Sequence, residues 1–76
     1  MLLYKIVKAK ILLVEDDDSL RRTLSYFLKA NEYEVIDVAR GRDALQRLEK
    51  NFFDLLLTDL LMPGMTGIEL INQIKQ

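Results

Sequence analysis

The chain has 76 residues and a formal charge of −1, from eleven Lys and Arg against twelve Asp and Glu. This length predicts a single domain over residues 1–76, and the mixture of 50% hydrophobic and 30% charged residues is typical of a globular protein. The sequence has no basic stripe that would favour nucleic acid. It also has no apolar run near the roughly 20 residues of a membrane span and no secretory signal, so we expect a cytoplasmic protein without a membrane partner.

The sequence contains neither cysteine nor histidine. Disulfides and thiolate metal sites are therefore excluded, as are imidazole bases and imidazole ligands. Any chemistry must depend on carboxylates, hydroxyls, lysines and backbone amides.

The first half of the chain predicts a strand, a helix and a second strand. Residues 11–14 form an unbroken apolar run, typical of a strand buried on both faces. The helix that follows begins at Asp17 or Asp18 and ends at Asn31. Its apolar stripe consists of Leu20, Leu24 and Leu28, widened by Phe27. Residues 33–39 mix apolar and polar side chains and favour an edge strand, on which we expect Asp37 to be solvated.

The second half repeats the alternation. A helix over 41–51 is followed by a strand over 53–58 that stops at Asp59. Residues 62–65 (MPGM) predict a turn. Thr66 with Glu69 predicts a capping box for the last helix, on which one face is shared by Ile68, Ile71 and Ile74.

Residues 10–76 therefore predict the order βαβαβα, which favours an α/β fold with a parallel sheet covered by helices. Residues 1–9 are an additional strand-like segment, in which residues 2–7 could cover a sheet edge.

Acidic side chains follow two of the predicted strands. Glu15 and Asp16 leave the first strand, and Asp59 leaves the third. In a parallel sheet, ligands bind beyond the carboxyl ends of the strands, so neighbouring strands would bring three carboxylates into one pocket. Without a cation these groups would repel one another. Mg²⁺ suits such an open acidic site because it binds a few carboxylate or carbonyl oxygens and keeps several waters.

Each acidic residue also has an ordinary structural interpretation. Residues 16–18 precede a helix and could serve only to cap it. Asp59 precedes a Pro-Gly turn and could be a turn residue. The coincidence of two strand ends in one topology is what favours a functional site.

Residues 10–22 (KILLVEDDDSLRR) and residues 55–67 (LLLTDLLMPGMTG) resemble the receiver domain of two-component response regulators. The resemblance extends from about Lys8 to the C-terminus and implies a flavodoxin-like parallel sheet with strand order 2-1-3. By position it implies that Asp59 is the phosphoryl acceptor. It further implies that Mg²⁺ is bound by Glu15, Asp16, Asp59 and the backbone carbonyl of Leu61.

The same resemblance implies a part in phosphorelay signalling. Asp59 would take a phosphoryl group from a histidine kinase or phosphotransfer protein, or from a small phosphodonor, and the chain would not itself be an enzyme. The receiver family has two further strand-helix units, with a Ser/Thr and a Lys that contact the phosphoryl group. We expect a receiver truncated after the third unit, with slower phosphorylation because a cationic group is missing.

A truncated receiver would leave its third strand as an apolar edge, so we expect self-association, most simply as a homodimer. The alternative function is an assembly or interaction protein that self-associates through this edge without phosphorylation. Asp59→Asn should abolish only the first function, whereas a charge at Leu56 should damage the second. A haloacid-dehalogenase-type phosphatase fits less well, because it would need a second acid where Leu61 stands.

Overall fold

The computed structural model describes residues 1–3 and 8–76. Three parallel strands form one sheet in the order β2-β1-β3: β1 (Lys10–Val14), β2 (Glu34–Val38) and β3 (Leu55–Thr58). They alternate with α1 (Asp18–Ala30), α2 (Gly41–Lys50) and α3 (Gly67–Ile74). The predicted α/β class, element order and strand order are confirmed. The strand-like segment predicted at residues 2–7 falls mostly on residues 4–7, outside the described residues.

The central strand β1 is buried on both faces, as its unbroken apolar run predicts. Leu12 pairs with Ile36 of β2 and with Leu56 of β3, and Leu13 pairs with Asp37 and Leu57. Successive side chains of a strand point to opposite faces. The register therefore assigns Leu12 and Leu56 to one face of the sheet and Leu13, Asp37 and Leu57 to the other.

The main core lies on the face of the sheet that carries Leu12. Helices α2 and α3 cover this face, and the apolar residues buried there are Leu12, Val14, Val38, Ala44, Met62 and Leu70. Leu56 packs against this cluster. The expectation that a charge at Leu56 would act on the strand edge is therefore wrong, because it would enter the core and destabilise the fold.

Helix α1 packs on the opposite face, mainly against β2. Its buried residue is Ser25, whose hydroxyl donates a hydrogen bond of 3.0 Å to Asp37 Oδ2. Asp37 also lies 3.5 Å from Arg21 Nε. The prediction of a merely solvated Asp37 is wrong, since this carboxylate joins β2 to α1. The apolar stripe of α1 is also less buried than predicted, because Leu20 and Phe27 are exposed.

The sheet surface beside β3 on the α1 side is left open. Leu55 and Leu57 are 54% and 44% exposed, because α1 lies over β1 and β2. On the other side, α3 buries Gly67 and Leu70, while Ile68 and Ile74 of its predicted apolar face are exposed. In the described part of the chain, no strand pairs with the outer edge of β3, and no helix is long and apolar enough to cross a membrane.

Candidate functional site

Three carboxylates meet at the carboxyl ends of β1 and β3. Glu15, Asp16 and Asp59 each offer one oxygen atom, and these atoms lie within 4.8 Å of one another. The reason is topological, because β1 and β3 are parallel neighbours whose carboxyl ends lie at the same edge. The structure thus brings together the three acidic residues that the sequence singled out.

Backbone hydrogen bonds continue past the ends of β1 and β3 and hold the first acidic residue after each strand. The Glu15 amide donates to the Val38 carbonyl at 3.1 Å, and the Asp59 amide donates to the Val14 carbonyl at 3.2 Å. The backbones of Glu15 and Asp59 are thereby hydrogen-bonded to the neighbouring strands, which continues the pairing of the sheet to these two residues.

The three carboxylates have different surroundings. Glu15 is buried, and its Oε2 accepts a hydrogen bond of 3.0 Å from the Asp17 amide. Asp16 is exposed and Asp59 is half-buried. Asp17 points its Oδ1 to the Leu20 amide at 2.8 Å and is the N-cap of α1. Asp17 therefore belongs to the helix start, as one interpretation of the sequence had it, whereas Asp16 is left available to a ligand.

The loop between β3 and α3 forms the other wall of the site. The Leu61 amide is 3.5 Å from Asp59 Oδ1, and the Thr58 hydroxyl donates to the Asp59 carbonyl at 3.0 Å. The predicted capping box is present, with Glu69 N–H donating to Thr66 Oγ1 at 3.1 Å. It fixes the start of α3 immediately after this loop.

The donor set fits a hard divalent cation. All three groups are carboxylates, and one of them is buried, so the uncompensated cluster carries like charges at short range. Mg²⁺ accepts oxygen ligands and retains several waters. A site with Asp16 exposed and Asp59 half-buried is open enough to solvent for those waters. Leu61 stands two residues after Asp59; its carbonyl as a fourth ligand stays a prediction.

The sequence profile of the response regulator receiver domain matches residues 11–76. The chain belongs to the response-regulator receiver family. Among curated relatives, it is 48% identical over 67 residues to the response regulator receiver protein CpdR of Brucella abortus, covering 88% of this chain and 56% of CpdR. It is 42% identical over 67 residues to the phosphate regulon regulator PhoB of Rhizobium meliloti, covering 88% of this chain and 30% of PhoB.

Solved receiver structures share this fold. The chemotaxis response regulator CheY4 of Vibrio cholerae superposes with a TM-score of 0.85 at 40% identity, over 90% of this receiver chain and 57% of CheY4. TrrA of Thermotoga maritima, solved in complex with Mg²⁺ and BeF, gives 0.83 at 31% identity, over 90% of this chain and 59% of TrrA. The receiver chain thus spans between 30% and 59% of the length of these four proteins.

The sequence patterns did not single out Arg21, whose side chain contacts the backbone of Glu15 beside the acidic cluster. Its Nη1 donates to the Glu15 carbonyl at 2.9 Å, and its Nη2 lies 2.7 Å from Asp18 Oδ1. The spacing of Asp18 and Arg21 on a helix would have predicted their ion pair. Nothing local in the sequence indicated the contacts with Glu15 or Asp37.

Proposed function

We propose that this receiver accepts a phosphoryl group on Asp59 and takes part in two-component phosphorelay signalling. The donor is a phosphohistidine of a histidine kinase or phosphotransfer protein, or a small acyl phosphate. Mg²⁺ is held by Glu15, Asp16, Asp59 and the Leu61 carbonyl. The observation that carries the proposal is the meeting of three carboxylate oxygens within 4.8 Å at two strand ends, in a chain of the receiver family.

The chemistry is a phosphoryl transfer between two side chains. A carboxylate oxygen of Asp59 forms a bond to phosphorus while the bond from phosphorus to the donor imidazole nitrogen breaks, and that nitrogen retains the electron pair. Bound Mg²⁺ would neutralise the negative charge on the transferred oxygens. The protein contributes position, because the Asp59 backbone is hydrogen-bonded to β1 and Asp59 is only half-buried beside the other two acids.

The test is the intact mass of the protein after incubation with Mg²⁺ and an acyl phosphate. We expect a gain of one phosphoryl group in the parent and none in Asp59→Asn. Asp54→Asn is the matched control, because Asp54 lies at the opposite end of β3 and binds the Lys10 amide; it should be phosphorylated like the parent. Equal labelling of Asp59→Asn and the parent, or a folded parent that gains no mass, would overturn the proposal.

Receivers are for the most part signalling modules, and we propose no enzymatic activity for this chain. One relative, from Thermotoga maritima, is named a cyclic di-GMP phosphodiesterase, but the chain matches only 17% of its length.

We further propose that residues 1–76 act as one domain and that two copies associate through β3. The support for association is the exposure of Leu55 and Leu57 beside an edge that is unpaired in the described part of the chain.

A further inference from the structure

Arg21 contacts three other residues through one guanidinium group. Nη1 donates to the Glu15 backbone carbonyl at 2.9 Å, Nη2 pairs with Asp18 at 2.7 Å, and Nε lies 3.5 Å from Asp37. Only 16% of the Arg21 side chain is exposed. Such a planar fork with several directed donors fixes its acceptors in space, which a flexible ammonium group does not.

The acceptor that matters most is the Glu15 carbonyl. The peptide that contains this carbonyl links Glu15 to Asp16, two of the three clustered acids. Because a peptide unit is planar, a hydrogen bond that holds the carbonyl also limits the rotation of the Asp16 backbone. Arg21 thus restrains the turn between β1 and α1 without contributing an atom to the pocket.

The far side of Arg21 is anchored in the sheet. Asp37 Oδ1 faces Arg21, and Asp37 Oδ2 accepts the hydroxyl hydrogen bond of Ser25 at 3.0 Å. Ser25 is buried and Asp37 belongs to β2. The guanidinium is therefore anchored to β2, a strand that supplies none of the three acids. The Arg21 side chain thus links β2 to the turn that carries Glu15 and Asp16.

We propose that Arg21 is a positioning residue for the metal site, acting through the Glu15 carbonyl to hold Asp16 in ligating geometry. This inference rests on the proposed function, because it assumes that the acidic cluster binds Mg²⁺. Groups that orient metal ligands from outside commonly contribute about 10- to 100-fold to metal affinity.

The test is the Mg²⁺ dissociation constant of the folded protein, measured by calorimetric titration for the parent, Arg21→Gln, Arg21→Lys and Arg22→Gln. Arg22 is exposed on the same helix, so Arg22→Gln makes the same charge change without touching the turn. We expect about tenfold or greater weakening in Arg21→Gln, less than twofold in Arg22→Gln, and partial recovery in Arg21→Lys, which keeps the charge but not the fork.

Circular dichroism at the titration temperature separates positioning from a purely structural role. A structural role would lower the free energy of unfolding and leave the Mg²⁺ affinity of folded Arg21→Gln equal to that of Arg22→Gln, which would overturn the inference. Full recovery of affinity in Arg21→Lys would also overturn it, since charge alone would then suffice. A parent that binds no Mg²⁺ would overturn both the inference and the proposed metal site. If the parent binds Mg²⁺ and Arg21→Gln binds it as tightly as Arg22→Gln, only the inference about Arg21 fails.

Should Arg21→Gln fail to fold, Asp37→Asn takes its place. It removes the ion pair that braces Arg21 and keeps a side-chain oxygen for Ser25. We expect Mg²⁺ affinity several-fold below that of Glu34→Gln, an exposed acid on the same strand. Equal affinities in these two variants would overturn the inference.

Discussion

The backbone of Gly67 lies directly against the backbone of Asp59. A Cβ atom at position 67 would overlap the Asp59 carbonyl oxygen and lie 3.1 Å from the carbonyl carbon. The Gly67 amide also donates to the Leu60 carbonyl at 3.0 Å. The first residue of α3 is thereby packed onto the residue proposed to accept the phosphoryl group, and only glycine permits this approach.

Replacing Gly67 with alanine should therefore disturb Asp59. The overlapping atoms are backbone and cannot move aside like a flexible side chain, so we expect Gly67→Ala to cost about 1–3 kcal/mol of unfolding free energy. Phosphorylation of Asp59 should slow as well. Chemical denaturation and intact-mass kinetics measure the two effects.

Gly64→Ala provides the comparison for Gly67→Ala. Gly64 has a φ of +85°, but among the described residues nothing apart from its chain neighbours lies within 4 Å of its Cβ position. Gly64→Ala should cost about 1–2 kcal/mol through backbone strain, with a smaller effect on phosphorylation than Gly67→Ala because it does not touch the Asp59 backbone. The steric explanation fails if Gly67→Ala is as stable and as active as the parent.

Mg²⁺ should stabilise the folded chain through the acidic cluster. Binding to the folded state alone raises the free energy of unfolding by about 2.7 kcal/mol at a concentration 100 times the dissociation constant. Asp16→Asn should lose most of this gain, because it removes the exposed carboxylate of the three. Denaturation curves with and without Mg²⁺ measure the effect, and Asp43→Asn, outside the cluster, should keep the full gain. Equal gains in both variants would argue against Asp16 as a ligand.

The buried hydroxyl of Ser25 should contribute to stability. Ser25→Ala leaves Asp37 without its 3.0 Å hydrogen bond, and we expect a loss of about 1–3 kcal/mol. Ser19→Ala on the same helix removes an exposed hydroxyl and should change stability by less than about 0.5 kcal/mol. Thermal or chemical denaturation compares the two, and equal effects would contradict the proposed bridge between α1 and β2.

Self-association should depend on the open surface beside β3. A lysine at Leu57, which is 44% exposed, would place charge in an apolar contact and at a sheet edge. We expect the parent to elute as a dimer in size-exclusion chromatography with light scattering, and Leu57→Lys as a monomer. Phe27→Lys changes an exposed apolar residue of α1 and should leave the dimer intact. A monomeric parent at micromolar concentration would contradict the association.

The sequence alone determined the order of the elements and the meeting of the acids. Apolar runs of strand length, helix caps (Asp17 or Asp18, and Thr66) and the alternation of elements are local patterns. The structure agrees with each of them and decides for Asp17 as the first cap. The convergence of Asp16 and Asp59 followed once the receiver resemblance implied the strand order 2-1-3, because parallel neighbouring strands end at the same edge of a sheet. No knowledge of side-chain contacts was needed for this step.

Only the tertiary structure decided which helix faces are buried and what supports the acidic turn. Apolar spacing on α1 predicted burial of Leu20 and Phe27, yet the helix lies across β1 and β2 and leaves both exposed. The contact of Arg21 with Asp37 joins residues sixteen positions apart, and it depends on how α1 sits on β2. Local patterns specify where an element begins and which residues share a side, but the placement of one element on another arises from packing over the whole sheet.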